Sequence, residues 1–402
     1  MTLLERFIKY VKIDTQSDEN SATSPSSAKQ LDLQRLLVSE LQDLGLQKVR
    51  LDRYGTVYAE LPGNSEATHP VIGLVAHVDT ALEMPGQGVK PRVIYGYDGK
   101  SIVLNEALGI VLDVKDFPHM SEFVGNTLIV TDGTTLLGAD DKAGVAINMT
   151  LLQYLHDHPN IKHLPLRVAF TPDEEIGRGV EHFDVKGFGA DIAYTLDGGD
   201  IRELNYENFN ASTAIVQING QSIHPGYAKG RMINAQLVAM EFFDLLPERM
   251  LPHLTEKYEG FHHLVHSKGG VEAAEAQYII RNHDEKILRH QEENFRKAAD
   301  VINKKYGRPV VEVTIKPGYR NMRPLIEQHP DVLKRAFDAY KAVGISVRTS
   351  PIRGGTDGAN LTYKGLPCPN LGTGGYHGHG KYEFAILEQM ETMVKILLHV
   401  IK

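Results

Sequence analysis

The sequence contains a single cysteine, Cys368, and no tryptophan among 402 residues. One thiol forbids an intrachain disulfide and any thiolate cage, which excludes a disulfide scaffold and a zinc finger. No run approaches the roughly eighteen apolar residues of a membrane-spanning helix, so no membrane partner is expected. Positive charge is also scarce: 43 Lys and Arg stand against 51 Asp and Glu, a formal net charge of −8. A sequence-independent nucleic-acid binder needs a basic face to release counterions, so nucleic acid is not expected as a partner either. Near the N-terminus, residues 3–11 interleave charges at helical spacing and do not form a signal-peptide core, so a cytoplasmic location is expected. Histidine, by contrast, is abundant, with 18 residues. A transition metal bound here must be held by imidazole and carboxylate.

The order of elements predicts a split chain. A Ser/Asn/Asp-rich loop over 15–27 separates two N-terminal helices, the second over 28–44. Short, two-sided apolar strands over 57–61, 71–76, 166–171 and 192–196 alternate with helices, the longest being an apolar helix over 143–156. That pattern predicts an α/β domain: a mostly parallel or mixed sheet with helices on both faces. Hairpins are expected between 90 and 132. From about residue 208 the pattern changes to strand, helix (232–246), strand (271–281), charged helix (285–306) and strand (310–316). This block reads as an inserted α+β, ferredoxin-like domain over 208–318. The catalytic domain is then discontinuous, 1–207 and 319–402, resuming with a helix over 331–343, a strand over 345–349 and a closing helix over 384–401.

Three apolar strands run into ligand-type residues. Strand 71–76 leads to His77-Val78-Asp79, strand 166–171 to Pro172-Asp173-Glu174-Glu175, and strand 192–196 to Asp197-Gly198-Gly199. Sites in open parallel sheets form beyond the carboxyl ends of the strands, so these three ends converge. Polar residues commonly end strands, and any one of these alone has that bland explanation. Two further segments carry the same chemistry: Gly138-Ala139-Asp140-Asp141-Lys142 ahead of a helix, and the loop Gly372–Lys381 with His377 and His379. One short acid suffices to cap a helix, and here there are two. His77, Asp140, Glu175, Asp197 and a histidine of the last loop form a sulfur-free donor set suited to two zinc ions sharing one carboxylate. Glu174, next to a ligand but spare, is the natural general base. Asp79 can accept the second ring N–H of His77.

Together these segments, with Thr171-Pro172-Asp173-Glu174-Glu175-Ile176-Gly177 and His379-Gly380-Lys381, resemble the M20 family of co-catalytic zinc peptidases, in order and spacing along essentially the whole chain. The resemblance implies two Zn2+ per subunit: His77 and Asp197 on one, Glu175 and His379 on the other, and Asp140 bridging. It selects His379 over His377, because Gly-Lys follows it, and implies a cis peptide between Asp140 and Asp141. It further implies that His224, in Ser222-Ile223-His224-Pro225-Gly226, polarises the scissile carbonyl, and that Arg281, Asn282 and Arg353 position substrate. The activity implied is removal of the N-terminal residue from tripeptides by a homodimer paired through the inserted domain. Alternatives are another hydrolase on the same scaffold (a dipeptidase, carboxypeptidase or N-acyl amino-acid amidohydrolase) or a non-catalytic metal- and peptide-binding protein; the retained Glu174 argues against the latter. His262, His263 and His266 read as solvated loop or helix-end residues.

Overall fold

A computed structural model describes residues 1–402. The chain forms two compact units: one comprises 1–206, 322–350 and 356–402, the other 207–321 and 351–355.

The larger unit is built on a seven-stranded sheet in the order Gln47–Leu51, Val57–Leu61, Leu166–Thr171, Ile72–His77, Ile192–Gly198, Asn370–Gly372, Leu204–Asn205. The four strands from Leu166–Thr171 to Asn370–Gly372 are mutually parallel, and the outer strands join antiparallel. Every residue of Ile72–His77 is buried, as a strand covered on both faces requires. Val75, Ala169 and Ala193 pack with Phe183, Phe188 and Leu361. The helix Ala139–Asp157 packs on the strands Ile72–His77 and Ile192–Gly198, and in turn contacts Leu3–Val11 and Leu387–Val400. The expected hairpin region holds the pair Ile102–Asn105 and Ile110–Leu112, beside a second antiparallel sheet that includes Leu128–Val130 and Phe384–Ile386.

Two sequence expectations change here, and the loop expected over 15–27 is ordered. Residues 345–349 form only a single bridge, Arg348 with Glu203, because the neighbouring strand is two residues long. The closing helix begins at Leu387, since Phe384–Ile386 pairs with Leu128–Val130 instead. The Ser-rich segment 15–27 is tied down along its length: the Thr15 hydroxyl donates to Val78 O and the Ser17 N–H to Thr80 O.

The smaller unit is a four-stranded antiparallel sheet, ordered Phe261–Gly269, Ala273–Asn282, Asn210–Asn219, Val311–Pro317, with helices Ala235–Asp244 and Glu285–Tyr306. Alternate residues Ala214, Val216, Ile218, Ala276, Tyr278 and Ile280 face a core with Val238, Phe242 and Phe295. The connectivity is β-α-β-β-α-β, one strand more than expected. The extra strand, Phe261–Gly269, contains His262, His263 and His266, which are therefore not in a loop. It is an edge strand with an irregular register between Leu264 and His266, and its polar residues hide the period-2 signal. His262 is buried beside Phe295, and burial lowers its imidazole to about 4. Residues 351–355, Arg353 among them, group with this unit, not with the larger one as the 319–402 boundary had it.

Candidate metal centre

The parallel strands deliver the donors at their carboxyl ends. His77 is the last residue of its strand, paired with Thr171, after which Glu174 and Glu175 follow in a single 3-10 turn. Asp197 lies near the end of Ile192–Gly198. Asp140 and Asp141 head the long helix but have non-helical backbone angles, and the peptide between them is cis. Asp141 does the capping: its Oδ1 accepts from the Gly144 N–H (3.2 Å) and its Oδ2 from the His77 N–H (3.2 Å). A Cβ on Gly144 would lie 2.0 Å from Leu196 O, so only glycine lets this helix start against the Asp197 strand.

Two groups of donors result, and they share Asp140. His77 Nε2 lies 3.0 Å from Asp140 Oδ1 and 3.4 Å from Asp197 Oδ1. His379 Nε2 lies 2.9 Å from Glu175 Oε2 and 3.5 Å from Asp140 Oδ2. Within each triad, His77–Asp140–Asp197 and Asp140–Glu175–His379, the donor atoms lie within 4.8 Å of one another. Asp140 thus presents one oxygen to each histidine. His377, the competing loop histidine, turns elsewhere, its Nε2 3.0 Å from His119 Nε2 and its ring against Phe117 and Phe384.

Asp79 is fully buried and serves three neighbours. Its carbonyl oxygen and Oδ1 lie 3.2 and 3.3 Å from His77 Nδ1, while its carboxylate accepts the N–H groups of Glu174 (3.0 Å) and Glu175 (3.1 Å). Around His379, the counterpart is Glu83, whose Oε1 is 3.3 Å from Nδ1.

Without a cation, so many acids in one place must share protons. Burial raises the Asp197 carboxyl to about 6 and Glu175 to about 7, and pushes Glu174 well above the carboxylate range, helped by Asp197. Asp140 is lowered: hydrogen bonds to His379 and His77 outweigh its burial. Burial opposes a charge on His77, yet Asp197, Asp140 and Asp79 hold it well above its ordinary value. Hydrogen bonds to Asp140 and Glu175 raise His379 to about 12. Two imidazoliums thus stand where compensating positive charge is needed. Glu175 Oε1 is buried with no hydrogen-bond partner in the chain, an uncommon and costly state for a carboxylate oxygen. Divalent ions bound to neutral imidazoles would supply that charge and that partner, so the donor set fits metal.

The remaining candidates lie in the smaller unit. His224 Nδ1 accepts the Gly226 N–H (3.2 Å), which leaves the proton of the neutral ring on Nε2 as a donor. Arg281 donates to the carbonyls of Ser212 and Ile280, and Asn282 is buried, its amide donating to Gln291 Oε1. Arg353 donates to the carbonyls of Lys257, Glu259 and Thr255 and stacks over Phe209 and Phe261. It is neither an open fork nor a surface ion pair. Sequence reasoning missed Glu383, which is buried and accepts the N–H groups of Leu137, Gly138 and Asp140. Asp357, in the segment that carries Arg353 along the sequence, is buried; its Oδ2 accepts the hydroxyl proton of Thr171 (2.8 Å), and burial raises it to about 7. A cavity of about 260 Å3 opens beside Asp140 and Asp197, lined also by Thr373, Tyr376 and His377. It is smaller than the ~300–1,000 Å3 usual for drug-sized ligands.

A mixed sheet whose parallel strands bring imidazole and carboxylate donors around one shared aspartate, with a spare glutamate beside them, forms a candidate metal site of a kind that hydrolases use. The chain belongs to peptidase family M20/M25/M40, whose sequence profile matches residues 131–402, and it is a peptide hydrolase. A relative from Caldanaerobacter subterraneus subsp. tengcongensis, named Peptidase T, is 48% identical over 400 residues, covering 100% of this chain and 98% of its own. The crystal structure of a Staphylococcus aureus tripeptidase shares the fold at TM-score 0.80 and 23% identity, covering 100% of this chain and 97% of its own. So does a Bacillus subtilis protein described as a dinuclear metal binding peptidase from the M20 family, at TM-score 0.66 and 15% identity, covering 99% and 96%.

Proposed function

We propose that this peptide hydrolase is a zinc-dependent aminopeptidase that releases the N-terminal residue of tripeptides. The observation that carries the reading is Asp140, with one oxygen on each of two histidine-containing triads. In this reading His77 and Asp197 would hold one zinc ion and Glu175 and His379 the other, with Asp140 available to both. When bound, such ions polarise a carbonyl and acidify water. The chain's own residues do the rest. Glu174 takes the proton of the attacking water and passes it to the leaving amine; a carboxyl raised by burial is a stronger base than a solvated one. Asp79 holds His77 in one orientation and fixes the backbone of Glu174 and Glu175. The outward Nε2–H of His224 is suited to polarise the scissile carbonyl.

The substrate class is supported by the names of a 48% identical relative and of a protein sharing the fold, Peptidase T and a tripeptidase. Arg281, Asn282 and Arg353 complete the proposal as substrate-positioning residues. To take a peptide's C-terminal carboxylate, an arginine must exchange backbone carbonyls it already holds. Arg281 gives up two and Arg353 three, so Arg281 is the easier fork to free. The proposal includes a cytoplasmic location and a homodimer formed through segment 208–318; the open edge strand Phe261–Gly269 and exposed Leu237 and Met240 support the pairing.

The test incubates zinc-loaded protein with matched di-, tri- and tetrapeptides and their N-acetylated forms, and identifies the products. Release of the first residue from the free tripeptide is expected to dominate. Equal cleavage of the acetylated tripeptide would overturn the aminopeptidase reading.

A further inference from the structure

The residue before Glu174 is held by a distant part of the chain. Asp173 is completely buried and has a left-handed backbone, φ 56°, which a non-glycine residue adopts only when its surroundings enforce it. Three donors enforce it here. Its carboxylate accepts the Ser26 N–H (2.8 Å to Oδ2), the Ser26 hydroxyl (2.5 Å) and the Gln30 side-chain amide (2.7 Å). In return the Asp173 N–H donates to Gln30 Oε1 at 3.1 Å. Arg178, on the far side of the same turn, donates its N–H to Asp173 O and its guanidinium to Ser21 O and Thr23 O. Both ends of the Glu174 turn are thereby fastened to the Ser-rich segment 15–27 and the helix that follows it.

That segment also grips the other catalytic strand end. Thr15 donates to Val78 O, and the Gln16 amide to Ala81 O and Met84 O. The chemistry-bearing turns after His77 and Thr171 therefore share one external brace. On its inner side the Glu174 N–H is fixed by Asp79. Both peptide planes flanking Glu174 are thus held by the buried Asp79, through the N–H groups of Glu174 and Glu175, while Asp173, the residue before Glu174, is held separately by Ser26 and Gln30.

We propose that Asp173, latched by Ser26 and Gln30, is a positioning residue for the peptidase reaction: it sets where the Glu174 carboxylate stands relative to the shared Asp140 centre. The inference rests on Glu174 being the base. Asparagine in place of Asp173 keeps the volume but turns an N–H2 group toward donors, so the latch opens while the core stays filled. A displacement of about 1 Å at a proton-transfer group costs on the order of 100-fold in rate.

The test uses full-length, metal-loaded protein and a free tripeptide. D173N is expected to lower kcat by roughly tenfold or more, with KM and bound metal per chain within about twofold of the parent. S26A, which removes one of three donors, should lower kcat by about two- to fivefold, and carries the test if D173N does not fold. Paired with E174Q, D173N should cause no further loss of kcat, because the group it positions is gone. A kcat for D173N within twofold of the parent, beside a collapsed E174Q, overturns this proposal alone. So does a D173N loss that multiplies undiminished onto E174Q. Undiminished turnover by E174Q removes the base reading, and this inference with it.

Discussion

The two halves of the metal centre share Asp140 but differ in nearly everything around it. On one side His77 is 2% exposed, and its second nitrogen faces Asp79, which no solvent reaches. On the other, His379 is 45% exposed, lies in a glycine-rich loop, and faces Glu83, itself 61% exposed. A carboxylate–imidazole contact in a buried site is preorganised and poorly screened, whereas the same contact at the surface is weakened by water and salt. If both triads take an ion as proposed, the His77 half would hold its ion more firmly than the His379 half.

The substitution with the largest expected effect removes what the halves share. D140A should abolish retention of both ions after dialysis, measured by metal analysis, and lower kcat/KM by about three orders of magnitude or more. Retention of one full equivalent would show the triads to be independent. Next, H77A should weaken metal retention about tenfold more than H379A, read by chelator competition. Equal losses would mean that burial does not distinguish the halves. The supporting carboxylates come third: D79N should cost roughly 10–100-fold in metal affinity, and E83Q no more than about threefold. An E83Q loss as large as that of D79N would break the comparison outright.

The smallest effect is the dependence on pH. In the metal-free protein burial raises Glu175 to about 7 and Asp197 to about 6, and nearby carboxylates raise both histidines, so at neutral pH protons occupy the two imidazoles and part of Glu175. Binding must release them, so affinity falls as pH drops from 8 through 6. Calorimetry in two buffers of different ionisation enthalpy should show net proton release at pH 7. Proton uptake would contradict the assigned donors.

Much of this centre could be read along the chain because its donors sit where apolar strands stop. His77, Glu175 and Asp197 each come at or soon after the end of a largely apolar run, and short runs of that kind bounded by turn signals are consistent with buried parallel strands. Asp140 showed as a doubled acid where one suffices, and the M20 resemblance chose between His377 and His379. The residues that brace the donors gave no such signal. Glu383 acts on Gly138, and Asp173 on Ser26, across segments that only the folded sheet brings together. The edge strand Phe261–Gly269 was overlooked for the opposite reason, since its pattern is local but its residues are polar.

The larger unit is assembled from pieces on both sides of residues 207–321, and its donors are made in the order His77, Asp140, Glu175, Asp197, His379. A chain emerging from the ribosome contains His77, Asp140 and Asp197 long before His379 exists. In the proposed reading a half-made chain already carries Glu174 but lacks His379, so the second triad would be complete only once the last loop has been translated.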